Sequence, residues 1–232
     1  MHERIRFSAW PWICGLILVA AMSLAAARLE AAEVLTFIEV RADAQASAAR
    51  ALGEQALQLQ KAQPQRRVLV LEELDRPGRL LLLESTAVPQ EASLAPPLPA
   101  SLDAQLLAPP DRRVHAELAA STDPRARRVL ATAGAAHLYV IAHIDLFPPV
   151  GADAQRVLAE LARAARGSTG NLGFEVWQQS GHANHFDLVS AWESLSAWER
   201  FRAQDAYRSF RQSIGARLGS PYVDREYRPP ER

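Results

Sequence analysis

The 232-residue sequence predicts a mixed α+β protein in which one small fold is written twice. Two observations carry that reading. Val68 to Thr86 and Phe174 to Trp192 share a strand-turn-strand pattern, with Val68, Val70, Leu80, Leu82 and Leu83 falling on Phe174, Val176, Phe186, Leu188 and Val189. Upstream, Val34 to Ala42 lies beside Leu138 to Leu146, and each is followed by an alanine-rich helical run. Each copy therefore begins strand, helix, strand, strand. With 49% hydrophobic residues the chain can bury one large or two small cores.

The N-terminus has a basic Met1 to Arg6, an apolar Trp10 to Leu24 and small residues at Ala25 to Ala27. That layout is a secretory signal over 1–27, which places the mature chain in the periplasm or outside the cell. The alternative is an uncleaved membrane anchor, since Trp10 to Ala27 approaches the ~20 residues that span a bilayer. Cleavage after Ala27 removes Cys14, the one cysteine, and leaves no stable membrane attachment. A disulfide framework and a cysteine metal site are then excluded. Basic and acidic residues balance at 26 each, so bulk charge gives no reason to expect nucleic acid.

The first repeat spans 34–86. Ser47 to Lys61 reads as a helix with Ala48, Leu52, Ala56 and Leu59 on one face, ended by Pro64. Strands follow at Arg67 to Leu74 and Arg79 to Thr86, joined where Gly78 can take the positive φ of a turn. From 87 to 136 the pattern loosens into an Ala/Pro-rich connection with a short helix expected at Ser101 to Leu107.

The second repeat, 137–228, is better formed. Tyr139 to Leu146 reads as a strand, Ala152 to Arg166 as a helix burying Val157, Leu158, Leu161 and Ala165, and Phe174 to Gln179 and His185 to Trp192 as strands. Ser196 and Glu199 form a capping box, which predicts one helix from there to Gly219, before a closing strand at Tyr222 to Tyr227.

Several pieces of this repeat resemble the antibiotic biosynthesis monooxygenase family: LYVIAHIDLFPP, Gly170 to Phe174, Asn184-His185-Phe186, Ala191-Trp192-Glu193, Phe210-Arg211 and Tyr222 to Tyr227. The resemblance implies ferredoxin-like repeats that pair as a dimeric α/β barrel, antiparallel sheets inside and helices outside. Exported members with two repeats are known as quinol monooxygenase-like proteins, and in such chains one polypeptide forms the barrel and acts as a monomer. The implied chemistry is oxygen insertion by O2 into a quinol or related small aromatic, with no metal and no flavin.

Such chemistry needs a base, donors for an anion and aromatic walls. Strand alternation sends Val140, Ala142, Ile144 and Leu146 toward the helices, and Tyr139, Ile141, His143 and Asp145 into the barrel. His143 is thus the candidate catalytic base, with Glu39 at the equivalent position of the first repeat. Asn184 and Ser190 are candidate donors, and Trp192, Trp198, Phe201 and Tyr207 candidate walls, with Arg211 a further pocket residue. His143, Trp192, Phe201 and Tyr207 are expected to line one cavity. Relatives carry a His-x4-His pair at the start of the last helix, where this chain has Phe201 and Ala206. The competing function is a non-catalytic protein that binds a hydrophobic or aromatic ligand, haem included, since haem-degrading oxygenases share this fold. No dinucleotide fingerprint, Walker loop, HExxH or GxSxG is present, and the spacing of His182 and His185 alone does not make a metal site.

Overall fold

The computed structural model describes residues 32–86, 98–123 and 125–231, so the predicted signal lies outside the described residues. Eight strands, β1 (Ala32–Glu39), β2 (Arg67–Glu73), β3 (Arg79–Thr86), β4 (Asp111–Glu117), β5 (Leu138–Asp145), β6 (Asn171–Gln179), β7 (His185–Trp192) and β8 (Arg225–Arg228), close into a barrel. Around it the order is β1-β3-β2-β8-β5-β7-β6-β4, and every pair is antiparallel. The two repeats are related by exchange: β4 pairs with β1 of its own repeat and β6 of the other, while β8 pairs with β5 and β2. Those two seams leave no open strand edge.

Among the described residues four α-helices lie outside: α1 (Gln45–Ala62), α2 (Ala152–Arg166), α3 (Leu195–Arg202) and α4 (Asp205–Gly215). Alternation along each strand divides the apolar residues into layers. Leu35, Leu71, Leu81, Leu83, Tyr139, Ile141, Trp177, Val189 and Tyr227 fill the barrel. Ile38, Val70, Leu80 and Leu82 pack on Ala48, Leu52 and Ala56 of α1. Val140, Ala142, Ile144, Phe174, Val176 and Leu188 pack on α2, α3 and α4. The two-repeat α+β barrel expected from the sequence is the fold found, with β5 facing as its alternation predicts.

Several elements differ from the sequence reading: the short helix expected at Ser101 to Leu107 is a 3-10 turn at Ala100–Leu102, and the closing strand expected at Tyr222 to Tyr227 is Arg225–Arg228. Asp111–Glu117, read as part of the connection, is β4. Its inward residues are Asp111, Arg113, His115 and Glu117, so it lacks the apolar period-2 signal by which strands are recognised. The helix after β7 starts two residues earlier than Ser196 suggests, because Ser194 is the N-cap and its Oγ accepts from the Ala197 N–H at 3.2 Å. Nor does that helix run on to Gly219: the chain breaks at Ala203 and Gln204 into α3 and α4.

The β2–β3 turn depends on Gly78, at φ +86°, where an added Cβ would stand 2.3 Å from the Val40 carbonyl oxygen. Gly78→Ala is therefore expected to cost about 2–3 kcal/mol, from positive φ and a backbone clash together. Urea unfolding of the variant checks this, and a loss below about 0.5 kcal/mol would contradict the clash.

Candidate active site

One end of the barrel opens into a cavity of about 450 Å³. Its apolar walls are Phe37 of β1, Ile141 of β5 and Tyr227 of β8, with Pro221 and Val223 at the edge. Three ion pairs surround them: Arg79 with Glu39 at 2.6 Å, Arg113 with Asp111 at 2.6 Å and Arg225 with Glu73 at 3.2 Å. The Arg113 guanidinium also lies 5.0 Å from the Phe37 ring centre. The mouth is thus charged but locally neutral, above an aromatic floor.

His143 stands on this wall with 30% of its side chain exposed, and its Nδ1 is 3.2 Å from Oδ1 of Asp187 on β7. Asp187 and His143 are directly opposed in the β5–β7 register, so both point inward. The other oxygen, Oδ2, is 2.7 Å from Nε2 of His115 on β4. Asp187 is fully buried, which by itself disfavours its charge, yet the two imidazole contacts outweigh burial and hold its carboxyl down at about 2. An ionised carboxylate only accepts hydrogen bonds. His143 therefore donates through Nδ1 and His115 through Nε2, leaving Nε2 of His143 as the ring atom free to take a proton.

A histidine cluster continues from the wall to the edge. The His143 and His185 rings meet edge to face at 5.4 Å, His185 stacks on His182 at 4.8 Å, and His185 Nε2 lies 3.4 Å from Asp145 Oδ1. Burial lowers the pKa of His185, with Asp145 acting in the opposite direction. Among the described residues no group of three or more His, Cys, Asp or Glu is arranged to hold a metal ion.

The expected single cavity is not found. His143 and Glu39 line the mouth, but Ser190 and Trp192 face the helices, because the inward positions of β7 are Asp187, Val189 and Ala191. A strand's faces alternate strictly, and Trp192 is an odd number of residues from Asp187. Trp192, Trp198, Phe201 and Tyr207 instead form an aromatic cluster between sheet and helices, with ring centres 5.2 to 6.0 Å apart. Beside them is a void of about 10 Å³, too small for an aromatic ligand.

Ser190 is committed there, donating to the Val140 carbonyl and accepting from Trp192 Nε1. Tyr207 and Tyr222 both donate to Asp224, and burial together with that carboxylate pushes Tyr207 up to about 12. Arg211 packs 4.0 Å from the Tyr222 ring centre. Asn184 is a strand-end clasp, donating to the Leu146 carbonyl at 2.9 Å and to Asp145. Tyr139 points inward as expected but is fully buried and does not line the mouth. Sequence reasoning missed Asp187, His115 and Arg113. Asp187 stands in an apolar run opposite His143, and a buried carboxylate facing a histidine across two paired strands is the signal that would have found it.

The opposite end is closed by the connection. Val129 and Leu130 enter the barrel core, the Val129 N–H donates to Glu175 Oε2 at 3.0 Å, and Arg128 contacts Glu33 at 2.5 Å, Glu175 at 2.6 Å and Glu117.

Residues 137–213 match the family model of the antibiotic biosynthesis monooxygenases. Among solved structures, a candidate monooxygenase of Fusobacterium nucleatum superposes with a TM-score of 0.69 at 10% identity, covering 87% of this chain and 93% of that one. A candidate monooxygenase of Lactobacillus acidophilus gives 0.67 at 5% identity, covering 87% and 95%. An anthrone oxidase-like protein gives 0.57 at 12%, covering 87% and 92%. At such identities these three structures establish the fold. No curated protein matches the sequence. The second repeat thus matches the antibiotic biosynthesis monooxygenase family over residues 137–213, and a first repeat in the same chain completes its barrel.

Proposed function

We propose that this protein is an exported, cofactor-independent monooxygenase that oxidises a quinol or related small aromatic with O2 in the barrel-mouth cavity. The observation that carries the reading is His143, oriented by buried Asp187, on the wall of a cavity of about 450 Å³ with an aromatic floor. The family match of the second repeat supports the same reaction class. A ring of phenol size fits between Phe37, Ile141 and Tyr227, with its hydroxyl toward His143.

His143 Nε2 takes the phenolic proton, and the imidazolium is stabilised through Nδ1 by the Asp187 carboxylate. The electron-rich phenolate then gives electrons to O2. For a simple hydroquinone the products are a hydroxyquinone and water: one oxygen atom forms the new C–O bond, the other leaves as water, and the substrate loses four electrons and two hydrogens overall. Arg79, Arg113 and Arg225 border the cavity and stabilise the anion as it forms. The chain acts as a monomer, because both barrel seams are closed from within.

Incubating the mature protein with a panel of hydroquinones under ¹⁸O2 tests the reading. One labelled oxygen is expected in the product for each O2 consumed. Oxygen uptake no faster than the non-enzymic rate across the panel, with the ligand bound, would leave only a binding function. Export is checked by the mass of the periplasmic protein, which is expected to begin at Arg28.

A further inference from the structure

Five buried side-chain atoms among the described residues have no hydrogen-bond partner: Glu33 Oε2, His115 Nδ1, Tyr139 Oη, Glu175 Oε1 and Trp177 Nε1. Glu175 Oε1 nonetheless contacts Arg128 as an ion pair. Two of the others belong together. Glu33 and His115 are directly opposed in the β1–β4 register, both point into the barrel, and each is 1% exposed. Directly opposed side chains have Cβ atoms about 5 Å apart, so two polar atoms that do not bond directly are close enough for a single water to bridge.

The hydrogen bonds already made fix what each atom can do. His115 donates through Nε2 to the ionised Asp187, so Nδ1 of a neutral ring is a bare acceptor. Glu33 Oε1 accepts from Arg128 at 2.5 Å and from Ser85 at 3.0 Å, which leaves Oε2 as the oxygen able to carry a proton. Two bare acceptors buried opposite each other are costly unless a donor lies between them. One guanidinium, Arg128, is shared by three carboxylates, Glu33, Glu117 and Glu175, so the cluster has reason to retain a proton. Burial first, and the neighbouring Glu175 second, push Glu33 up to about 8.

We propose that a protonated Glu33 donates to His115 Nδ1 through one bridging water, and that the pair are positioning residues through which the first repeat fixes the orientation of the base in the second. The chain of fixed roles runs Glu33 O–H through the water to His115, His115 N–H to Asp187, and His143 N–H to Asp187. It leaves His143 one available atom, Nε2, facing substrate. The consequence for catalysis rests on His143 being the base; the protonation pattern itself does not.

The test is ¹⁵N–¹H correlation of the histidine rings in the full chain at pH 7, without substrate. His115 is expected to carry its proton on Nε2 alone and His143 on Nδ1 alone. In Glu33→Ala the His115 ring should keep its Nε2 proton, held by Asp187, while its Nδ1 ¹⁵N resonance moves downfield by several ppm as that nitrogen loses its donor, and in Glu33→Gln, whose amide N–H supplies the same donor, the resonance should move back. Quinol turnover should follow, with kcat about tenfold lower in Glu33→Ala at unchanged KM and recovery in Glu33→Gln. A His115 protonated on Nδ1 or on both nitrogens, or an Nδ1 resonance unaltered by Glu33→Ala, overturns the proposal. If Glu33→Ala does not fold, the wild-type Nδ1 resonance decides: a position upfield of a bare acceptor nitrogen, kept in Glu33→Gln, is expected, and a bare-acceptor position overturns the proposal. Absence of turnover in the wild type would overturn the oxidation reading alone, since the ring signals are read without it.

Discussion

Replacing Arg128 by alanine is expected to cost about 2–3 kcal/mol of stability at pH 8 and much less at pH 5. Glu33 is pushed up to about 8 and Glu175 to about 7, burial being the largest cause in each case. Against an unfolded value of about 4.3, both carboxyls bind protons more tightly in the folded state. Their contribution is fully present below about pH 4 and is lost as the pH rises through 7 to 8. The slope is at most about 1.4 kcal/mol per pH unit for each group. The wild type should therefore already be less stable at pH 8 than at pH 5 from this source.

Arg128 limits that loss by countering the carboxylates at Glu33, Glu117 and Glu175. Its removal leaves buried negative charge uncompensated at high pH, whereas at pH 5 Glu33 and Glu175 are protonated and need it less. Losing one partner of a buried pair costs about 3–5 kcal/mol, reduced here because the Arg128 side chain is 43% exposed. Urea unfolding at the two pH values checks this, and an equal loss at both would remove the cluster's role.

Asp187→Asn is expected to lower stability by about 2 kcal/mol at pH 7 and to reduce turnover about 100-fold or more. The carboxyl is held at about 2, below its ordinary 3.8, so its contribution is present above about pH 4 and is lost as the pH falls through 2. The stability difference between wild type and variant should accordingly shrink between pH 4 and pH 2. Turnover falls for a separate reason. An amide offers one acceptor and one donor where the carboxylate offers two acceptors, so one of His143 and His115 must change tautomer. Turnover within threefold of the wild type would show that Asp187 does not orient the base.

The architecture was legible because β1, β3, β5 and β7 are apolar runs of strand length, and because the repeats share their order. β4 was not legible, since four charged or titratable residues face inward from it and nothing in the local pattern separates them from a solvated loop. That strand supplies Arg113 and His115, so half of the candidate site was hidden with it. The parity of β5 placed His143 and Glu39 correctly at the mouth. Applying no register to β7 then put Ser190 and Trp192 on the wrong face, because the pairing of His143 with Asp187 is a long-range fact that neither strand contains alone. The break at Ala203 and Gln204 was missed because Tyr207, Phe210 and Ile214 keep helical spacing on the far side of it.

The proposed oxidation occurs at the barrel mouth and not in the aromatic cluster under α3 and α4. Initial rates of oxygen uptake with the best hydroquinone, measured side by side for wild type, His143→Ala and Tyr207→Phe, test it most directly. His143→Ala is expected to lose about 100-fold or more while Tyr207→Phe stays within about threefold of the wild type. A His143→Ala protein that keeps its rate while Tyr207→Phe loses it would contradict the account and move the site to the other face of the sheet.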